Sequence, residues 1–92
     1  GIDNITINYY GAGFNLNLYD TNNTQKINQI NVLDVSKNLS LNKLICGNNP
    51  LTSLDVTNNI SLGTLDFQNA QISTIDLSKN LGLGVLNCSE NL

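Results

Sequence analysis

Two cysteines, Cys46 and Cys88, are the side chains of this sequence best suited to nucleophilic or redox chemistry. A catalytic thiol needs a neighbouring base, and the 92 residues include no histidine that could form a Cys–His pair. Two cysteines alone leave a tetrahedral zinc site short of ligands. We therefore expect both cysteines to be small apolar residues that fill a buried column.

Three aspartates are the second candidate for chemistry, because Asp34, Asp55 and Asp76 recur with one constant spacing. In neighbouring strands their carboxylates would lie about 5 Å apart and repel one another. Calcium could offset that repulsion, since hard cations take oxygen ligands. Alternatively, each carboxylate accepts hydrogen bonds within its own D-x-[ST]-x-N turn. We favour the turn and keep calcium as the alternative; the turn donors would be Ser36, Thr57 and Ser78.

Composition excludes several classes of function. Four lysines, no arginine and seven acidic residues give a net charge of −3, without the basic surface that nucleic-acid binding requires. No apolar run is long enough to cross a membrane, so we expect no membrane insertion. A hydrolase that uses a carboxylate pair needs a cleft, which a regular array of strands does not offer. We therefore expect a protein that is not an enzyme and has no cofactor.

From residue 30 onward the sequence repeats with a period of 21. Asn and Leu supply 18 and 15 of the 92 residues, and many of them fall into columns with this spacing. Each block has two similar halves, of the form LxxLxCxxNx and LxxLDVxxNx. The apolar columns are Ile30/Leu51/Ile72, Leu33/Leu54/Ile75, Val35/Val56/Leu77, Leu39/Ile60/Leu81, Leu41/Leu62/Leu83, Leu44/Leu65/Leu86 and Cys46/Phe67/Cys88.

Each half-block predicts one short extended segment. In Leu44-Ile45-Cys46, alternation turns the first and third side chains inward and the middle one outward. Asn pairs, Gly and Pro50 disfavour helix, so we predict a mostly β fold with little or no α-helix. With strands about 4.8 Å apart, two periods separate Cys46 from Cys88 by about 10 Å, beyond the roughly 7 Å limit for a disulfide.

This pattern resembles the leucine-rich repeat family, whose LxxLxLxxNxL signature is matched by Leu41, Leu44, Cys46, Asn49 and Leu51. The LDVxxN that follows is similar to the short, nested 21-residue bacterial subclass, which includes internalin-like surface proteins. The resemblance implies a solenoid of about three turns with a parallel sheet on its concave face. It also implies a protein-binding or adhesion module of a bacterial surface or secreted protein, and hence an extracellular or cell-surface location.

Asparagines form two further columns, which are Asn38/Asn59/Asn80 and Asn28/Asn49/Asn91. We expect the first column to turn inward and satisfy the backbone of the loops, so that its N-x-[ST] triplets are not glycosylation sites. Ala70 breaks the second column. We expect the neighbouring Asn69 to substitute for the missing amide.

The two ends differ from the repeat. Residues 5–9 and 14–19 alternate around Gly11 and Gly13 and predict a β-hairpin. We interpret the hairpin as an N-terminal cap; the alternative is an aromatic ligand platform, because all three tyrosines lie there. The predicted organisation is a cap hairpin and loop over 1–29 and repeats over 30–92. The C-terminal end is uncapped, which favours either self-association or continuation of the chain.

A binding surface is expected at the outward positions of the strands, where an unidentified protein or glycan would bind. These positions are mixed and weakly polar and lack the Tyr, Trp and Arg typical of interface hot spots. The alternative function is therefore a structural spacer that presents another domain. The candidate concave-face residues are Lys43, Ile45, Gly47, Thr64, Asp66, Gln68, Val85, Asn87 and Ser89.

Overall fold

The computed structural model describes residues 4–6, 14–17 and 30–92, and every regular element in them is a β-strand. The prediction of a mostly β fold is confirmed for this part of the chain, in which no helix occurs. The strands are β1 (Asn4–Thr6), β2 (Phe14–Asn17), β3 (Val32–Asp34), β4 (Leu41–Ile45), β5 (Thr64–Asp66) and β6 (Val85–Asn87).

Four strands form one parallel sheet in the order β2-β4-β5-β6. Leu44 of β4 pairs with Leu65 of β5, and Leu65 pairs with Leu86 of β6, so the offset between these strands equals one period of the sequence. The ladder continues beyond the strand ends. Cys46 N donates to Asp66 O at 2.8 Å, and the equivalent Phe67 N donates to Asn87 O at 2.9 Å. The columns of the sequence thus become rows across the sheet.

The sheet uses the first half of each 21-residue block. Within residues 30–92, the second half forms a strand only at β3, and the equivalent segments around Leu54 and Ile75 have no regular secondary structure. The sequence leaves open which half supplies the sheet, because both halves alternate in the same way. The observed sheet places the outward residues of β4, β5 and β6 side by side.

The predicted N-terminal hairpin is wrong. β1 pairs with β3 and β2 pairs with β4, both in parallel, so the two segments belong to different sheets. Both pairings have an offset of 28, as in Ile5↔Leu33 and Leu16↔Leu44, except at Phe14↔Leu41, where the register shifts and the offset is 27. Alternation identifies an extended segment but not its partner, and the spacing of 28 rather than 21 concealed these partners. The tyrosines lie outside the described residues, and the division into 1–29 and 30–92 stays a prediction.

Apolar side chains of the columns pack into one core between the sheet and the opposite segments. Their inward direction follows from strand alternation, which puts every second residue on the buried side. The buried apolar residues are Leu33, Val35, Leu41, Leu44, Cys46, Leu51, Leu54, Val56, Leu62, Leu65, Phe67, Ala70 and Ile72.

One apolar column does not join the core. Leu39, Ile60 and Leu81 are 55%, 64% and 91% exposed, because they occupy the turn directly after a buried asparagine. When the asparagine side chain points inward, the next residue in the turn points to solvent. Sequence periodicity alone does not separate these residues from the core columns.

The first asparagine column is buried, as predicted. Asn59 is fully buried, and its Nδ2 donates to the carbonyl oxygens of Val35 at 3.0 Å and Asn38 at 2.9 Å. Asn80 repeats the arrangement one block later, with Nδ2 3.0 Å from the carbonyl oxygens of Val56 and Asn59. Each amide therefore binds the turn of the preceding block and holds consecutive blocks together.

Replacing Asn59 with alanine is expected to destabilise the protein by about 2 kcal/mol, because two buried hydrogen bonds between blocks are lost and a cavity remains, although each carbonyl keeps its backbone donor. Asn58→Ala is the matched control, since Asn58 makes one exposed hydrogen bond, to Ser36 O at 3.1 Å. The control should change stability by no more than about 0.5 kcal/mol. Urea unfolding followed by circular dichroism measures both values. Equal effects of the two substitutions would contradict the role assigned to Asn59.

Candidate functional site

The candidate surface is the outward side of the strands β4, β5 and β6, here called the sheet face. Register aligns Lys43, Thr64 and Val85 in one row. A second row follows two positions later and consists of Ile45, Asp66 and Asn87. The structure thus brings six of the nine predicted residues into two adjacent rows on one sheet.

Exposure varies across the sheet face. Lys43 and Val85 are exposed, whereas Thr64 and Asp66 are half-buried by their neighbours. Ile45 is also half-buried and gives the face an apolar centre. These six residues thus comprise one cation, one carboxylate, two aliphatic side chains and two uncharged polar ones.

The third predicted row consists of Gly47, Gln68 and Ser89. Its first member was expected to lie on the exposed surface, and the structure differs there. This glycine is buried, and a Cβ at its position would lie 2.8 Å from Gln68 O and 3.0 Å from Gln68 Cγ. Gln68 therefore lies over Gly47 and uses the space that a side chain would need. Only Gln68 and Ser89 can present side chains in this row, because Gly47 contributes backbone alone.

Polar side chains at the strand ends are held by local hydrogen bonds. Gln68 N donates to Asp66 Oδ1 at 3.1 Å. One strand later, Ser89 donates from N at 3.2 Å and from Oγ at 2.9 Å to Asn87 Oδ1. These Asx-type turns fix the direction of Asp66 and Asn87. Part of their hydrogen-bonding capacity is therefore already used within the protein.

Sequence reasoning missed the fourth strand of this surface. In β2, Asn15 pairs with Lys43 and Asn17 pairs with Ile45, so each row is extended by one asparagine position. They lie 28 residues from their partners in β4, so they do not fall into the columns with a spacing of 21. The alternation of Asn15, Leu16 and Asn17 is the available signal, but it fits a hairpin equally well.

The cysteines follow the prediction only in part. Cys46 is buried and free, and burial, with a smaller contribution from Asp66, raises the pKa of its thiol to about 12. Such a thiol stays protonated and is a poor nucleophile. Cys88 is also free, but it is exposed, so its predicted burial is wrong. The reason is its position in the block of β6, the outer strand of the sheet, where no further strand covers it among the described residues.

The aspartate column makes the predicted turn hydrogen bonds. Asp55 Oδ1 accepts from Thr57 N at 2.9 Å and from Thr57 Oγ1 at 2.6 Å. Asp34 and Asp76 accept from the backbone N–H two residues later, at 2.9 and 2.8 Å. The hydroxyl and N–H donors of each turn lower the pKa of all three carboxyl groups. For Asp55, the charges of the other two aspartates oppose that lowering.

The second asparagine column is interrupted at Ala70. Asn49 and Asn91 share one arrangement, in which Oδ1 accepts from the backbone N–H 19 residues earlier, from Ile30 at 3.1 Å and from Ile72 at 3.0 Å. Asn69 does not substitute at the gap, which corrects the expectation; its Nδ2 instead donates to Asn48 Oδ1 at 2.9 Å.

The gap at Ala70 is resolved by the backbone of the preceding block. The spacing seen at Asn91 indicates that an asparagine at position 70 would accept a hydrogen bond from Leu51 N. Without it, Leu51 N donates to Asn49 O at 2.8 Å. Pro50 lies between these two residues, and its fixed φ suits so tight a turn. The block therefore keeps its buried N–H satisfied without the side-chain amide.

Comparisons with known proteins add no assignment, because no family model, curated protein or solved structure matches the chain. In the described residues, no group of three or more His, Cys, Asp or Glu side chains could hold a metal ion. No helix in that part of the chain is long and apolar enough to span a bilayer. The candidate site therefore rests on the geometry of the sheet.

Stability should fall in acid because of the aspartate column. The folded-state pKa values of Asp34, Asp55 and Asp76 lie below the ordinary 3.8. The stabilisation of the folded protein by these ionised carboxylates is therefore present above about pH 4 and is lost as the pH falls through the folded-state pKa values. Replacing all three with asparagine keeps an oxygen acceptor in each turn but removes the titration.

The measurement is the urea midpoint at pH 7 and at pH 2.5. The wild-type midpoint should fall more between these pH values than that of the triple variant Asp34→Asn/Asp55→Asn/Asp76→Asn. An identical pH dependence in the two proteins would show that these turns do not carry the effect.

Proposed function

We propose that the protein is a short leucine-rich repeat protein of the 21-residue bacterial subclass, with residues 30–92 forming a solenoid of about three turns. The proposal is supported by the offset between β4, β5 and β6, which is the same at both pairings and equals the sequence period. It is also supported by the amides of Asn59 and Asn80, which bind consecutive blocks at equivalent positions. One regular unit repeated along an axis accounts for both.

The proposed function is protein binding or adhesion, without catalysis, by a bacterial surface or secreted protein. The observation that carries it is the alignment of Lys43, Thr64 and Val85 beside Ile45, Asp66 and Asn87 on one sheet. A parallel sheet with a packed core holds such positions at fixed spacing, which suits recognition of an extended partner surface. The partner would be a protein or a glycan outside the cell.

Three features support a non-enzymatic role. The thiol of Cys46 is buried with a raised pKa, so it is not poised for attack. The pKa values of Asp34, Asp55 and Asp76 are lowered, so these carboxyls are ionised near neutral pH and unsuited to act as general acids. The charge of −3 argues against nucleic acid as the partner.

A structural spacer that presents another domain is the second candidate. It is favoured by the chemistry of the sheet face, whose predicted residues include no aromatic side chain and no arginine. Such residues dominate most binding hot spots. A spacer needs only the packed core and the buried asparagines, and it tolerates any polar side chain on the sheet face.

Binding to printed arrays of glycans and of purified extracellular proteins distinguishes the two functions. The test variant carries Lys43→Glu, Thr64→Lys and Val85→Lys, which change charge and size across one row of the sheet face. The control carries Thr52→Lys and Ser73→Lys, which are exposed, one block apart and outside the sheet. Urea midpoints confirm that both variants are folded.

The binding proposal predicts a wild-type signal that falls at least tenfold in the sheet-face variant and is unchanged in the control. Tenfold corresponds to about 1.4 kcal/mol of binding free energy, a modest demand for three altered contacts. Equal binding by wild type and the sheet-face variant would contradict a role of this face. No binding by any of the proteins would favour the spacer.

A further inference from the structure

We propose that the sheet face binds an extended polypeptide segment that carries an acidic and a basic side chain two positions apart. The acidic side chain would lie on Lys43 and the basic one on Asp66. The inference rests on the protein-binding function proposed above and names the chemistry of the partner. It follows from the separation of the two charges, from the polar atoms that they leave unused and from the uncharged residues beside them.

The two charges of the sheet face lie on a diagonal between neighbouring strands. Lys43 pairs with Thr64 in the first row, and Asp66 lies two residues further along β5, in the second row. Neighbouring strands are about 4.8 Å apart and two residues advance about 6.6 Å, so the two Cα atoms are about 8 Å apart. The register of β4 and β5 therefore holds a positive and a negative group at a fixed separation.

Neither charge is neutralised within the part of the chain that the structure describes. Lys43 forms no ion pair there, and Asp66 accepts a single hydrogen bond, at Oδ1 from Gln68 N, which leaves Oδ2 unused. The other two described lysines differ, because Lys37 and Lys79 each lie close enough to the aspartate of their own turn to lower its pKa. Lys43 and Asp66 thus keep their charges for a partner.

The need to match both charges favours a polypeptide over a glycan. Asp66 is already half-buried, and a partner that covers it removes more water from the carboxylate. That loss costs free energy unless a cation replaces the water. A polypeptide can supply a cation for Asp66 and an anion for Lys43, whereas neutral or acidic sugars supply hydroxyl groups and anions only and would leave Asp66 unmatched.

The separation of the charges sets their spacing in the partner. Side chains two positions apart in an extended segment lie on the same side, about 6.6 Å from one another. Long side chains such as those of glutamate, lysine and arginine cover the remaining difference from about 8 Å. Adjacent residues point to opposite sides of the segment. An acidic and a basic residue that follow one another directly therefore cannot both reach the sheet face.

The residues beside the charges suit this arrangement. Ile45 is half-buried and lies next to Asp66 in the second row, where it can pack against the aliphatic stem of a partner lysine or arginine. Thr64 lies next to Lys43 in the first row. Both residues are uncharged, so neither repels an ion of the partner.

Binding to four pools of short peptides tests the charge pattern. The pools differ only at two positions, which are acidic and basic with one residue between them, both acidic, both basic, or acidic and basic side by side. Wild type should bind the first pool most tightly, by about fivefold over the two like-charged pools at about 0.1 M salt, since each exposed pair contributes little. The preference should disappear at 1 M salt, where the screening length is about 3 Å.

Two variants and a control assign the preference to the two residues. Lys43→Glu should bind the pool with two basic residues best. Asp66→Asn should bind the first pool and the pool with two acidic residues equally, and the turn should persist because Asn87 Oδ1 accepts the equivalent bond from Ser89 N at 3.2 Å. Lys79→Glu, an exposed change outside the sheet, should keep the wild-type preference.

Equal binding of all four pools by wild type, or binding of none, would overturn this proposal. If wild type then still bound an extracellular protein or a glycan on the printed arrays, and the sheet-face variant did not, the proposed function would stand without the charge pattern. Absence of binding on the arrays as well would contradict both proposals.

Discussion

The structure depends on one constraint, which is that the backbone groups of buried turns must find hydrogen-bond partners in every block. Strands supply those partners along the sheet, and within each turn the same carbonyls accept one backbone N–H, as Val35 O does from Asn38 N at 3.0 Å. Asn59 and Asn80 add a second donor to these carbonyls, with an amide that is buried inside the core and reaches the preceding turn. Because each amide spans two blocks, it sets the spacing between them as well as the shape of the turn. The alignment of the sheet face follows from that spacing.

The strands of residues 30–92 are predictable because the sequence shows both a 21-residue repeat and the two-residue alternation of a strand. The 21-residue columns identify which strands are neighbours, and alternation identifies which side of each strand is buried. The prediction fails at the N-terminal strands, where the offset is 28 rather than 21 and the pairing is parallel instead of a hairpin. Alternation identifies a strand but not its partner, and only the columns of similar residues at a spacing of 21 indicate which strands are neighbours.

Two local departures from the repeat could not be predicted from the sequence either, each for a physical reason. Leu39 and Ile60 have the residue types of the core but follow an inward asparagine, so turn geometry exposes them. Ala70 has no amide, and the backbone bond from Leu51 N to Asn49 O replaces it. Of the candidate site, the rows at Lys43 and Ile45 were predictable, whereas the filling of the Gly47 position by Gln68 depends on packing between adjacent strands.

Hydrogen exchange of the asparagine side-chain amides, followed by nuclear magnetic resonance, tests the central role of the buried column most directly. The Nδ2 protons of Asn59 and Asn80 should exchange at least a hundredfold more slowly than those of Asn58, whose amide makes an exposed hydrogen bond. Slow exchange at both buried positions is the result that this account predicts. Exchange at the rate of Asn58 would show that these amides are open to water and do not hold the blocks in register.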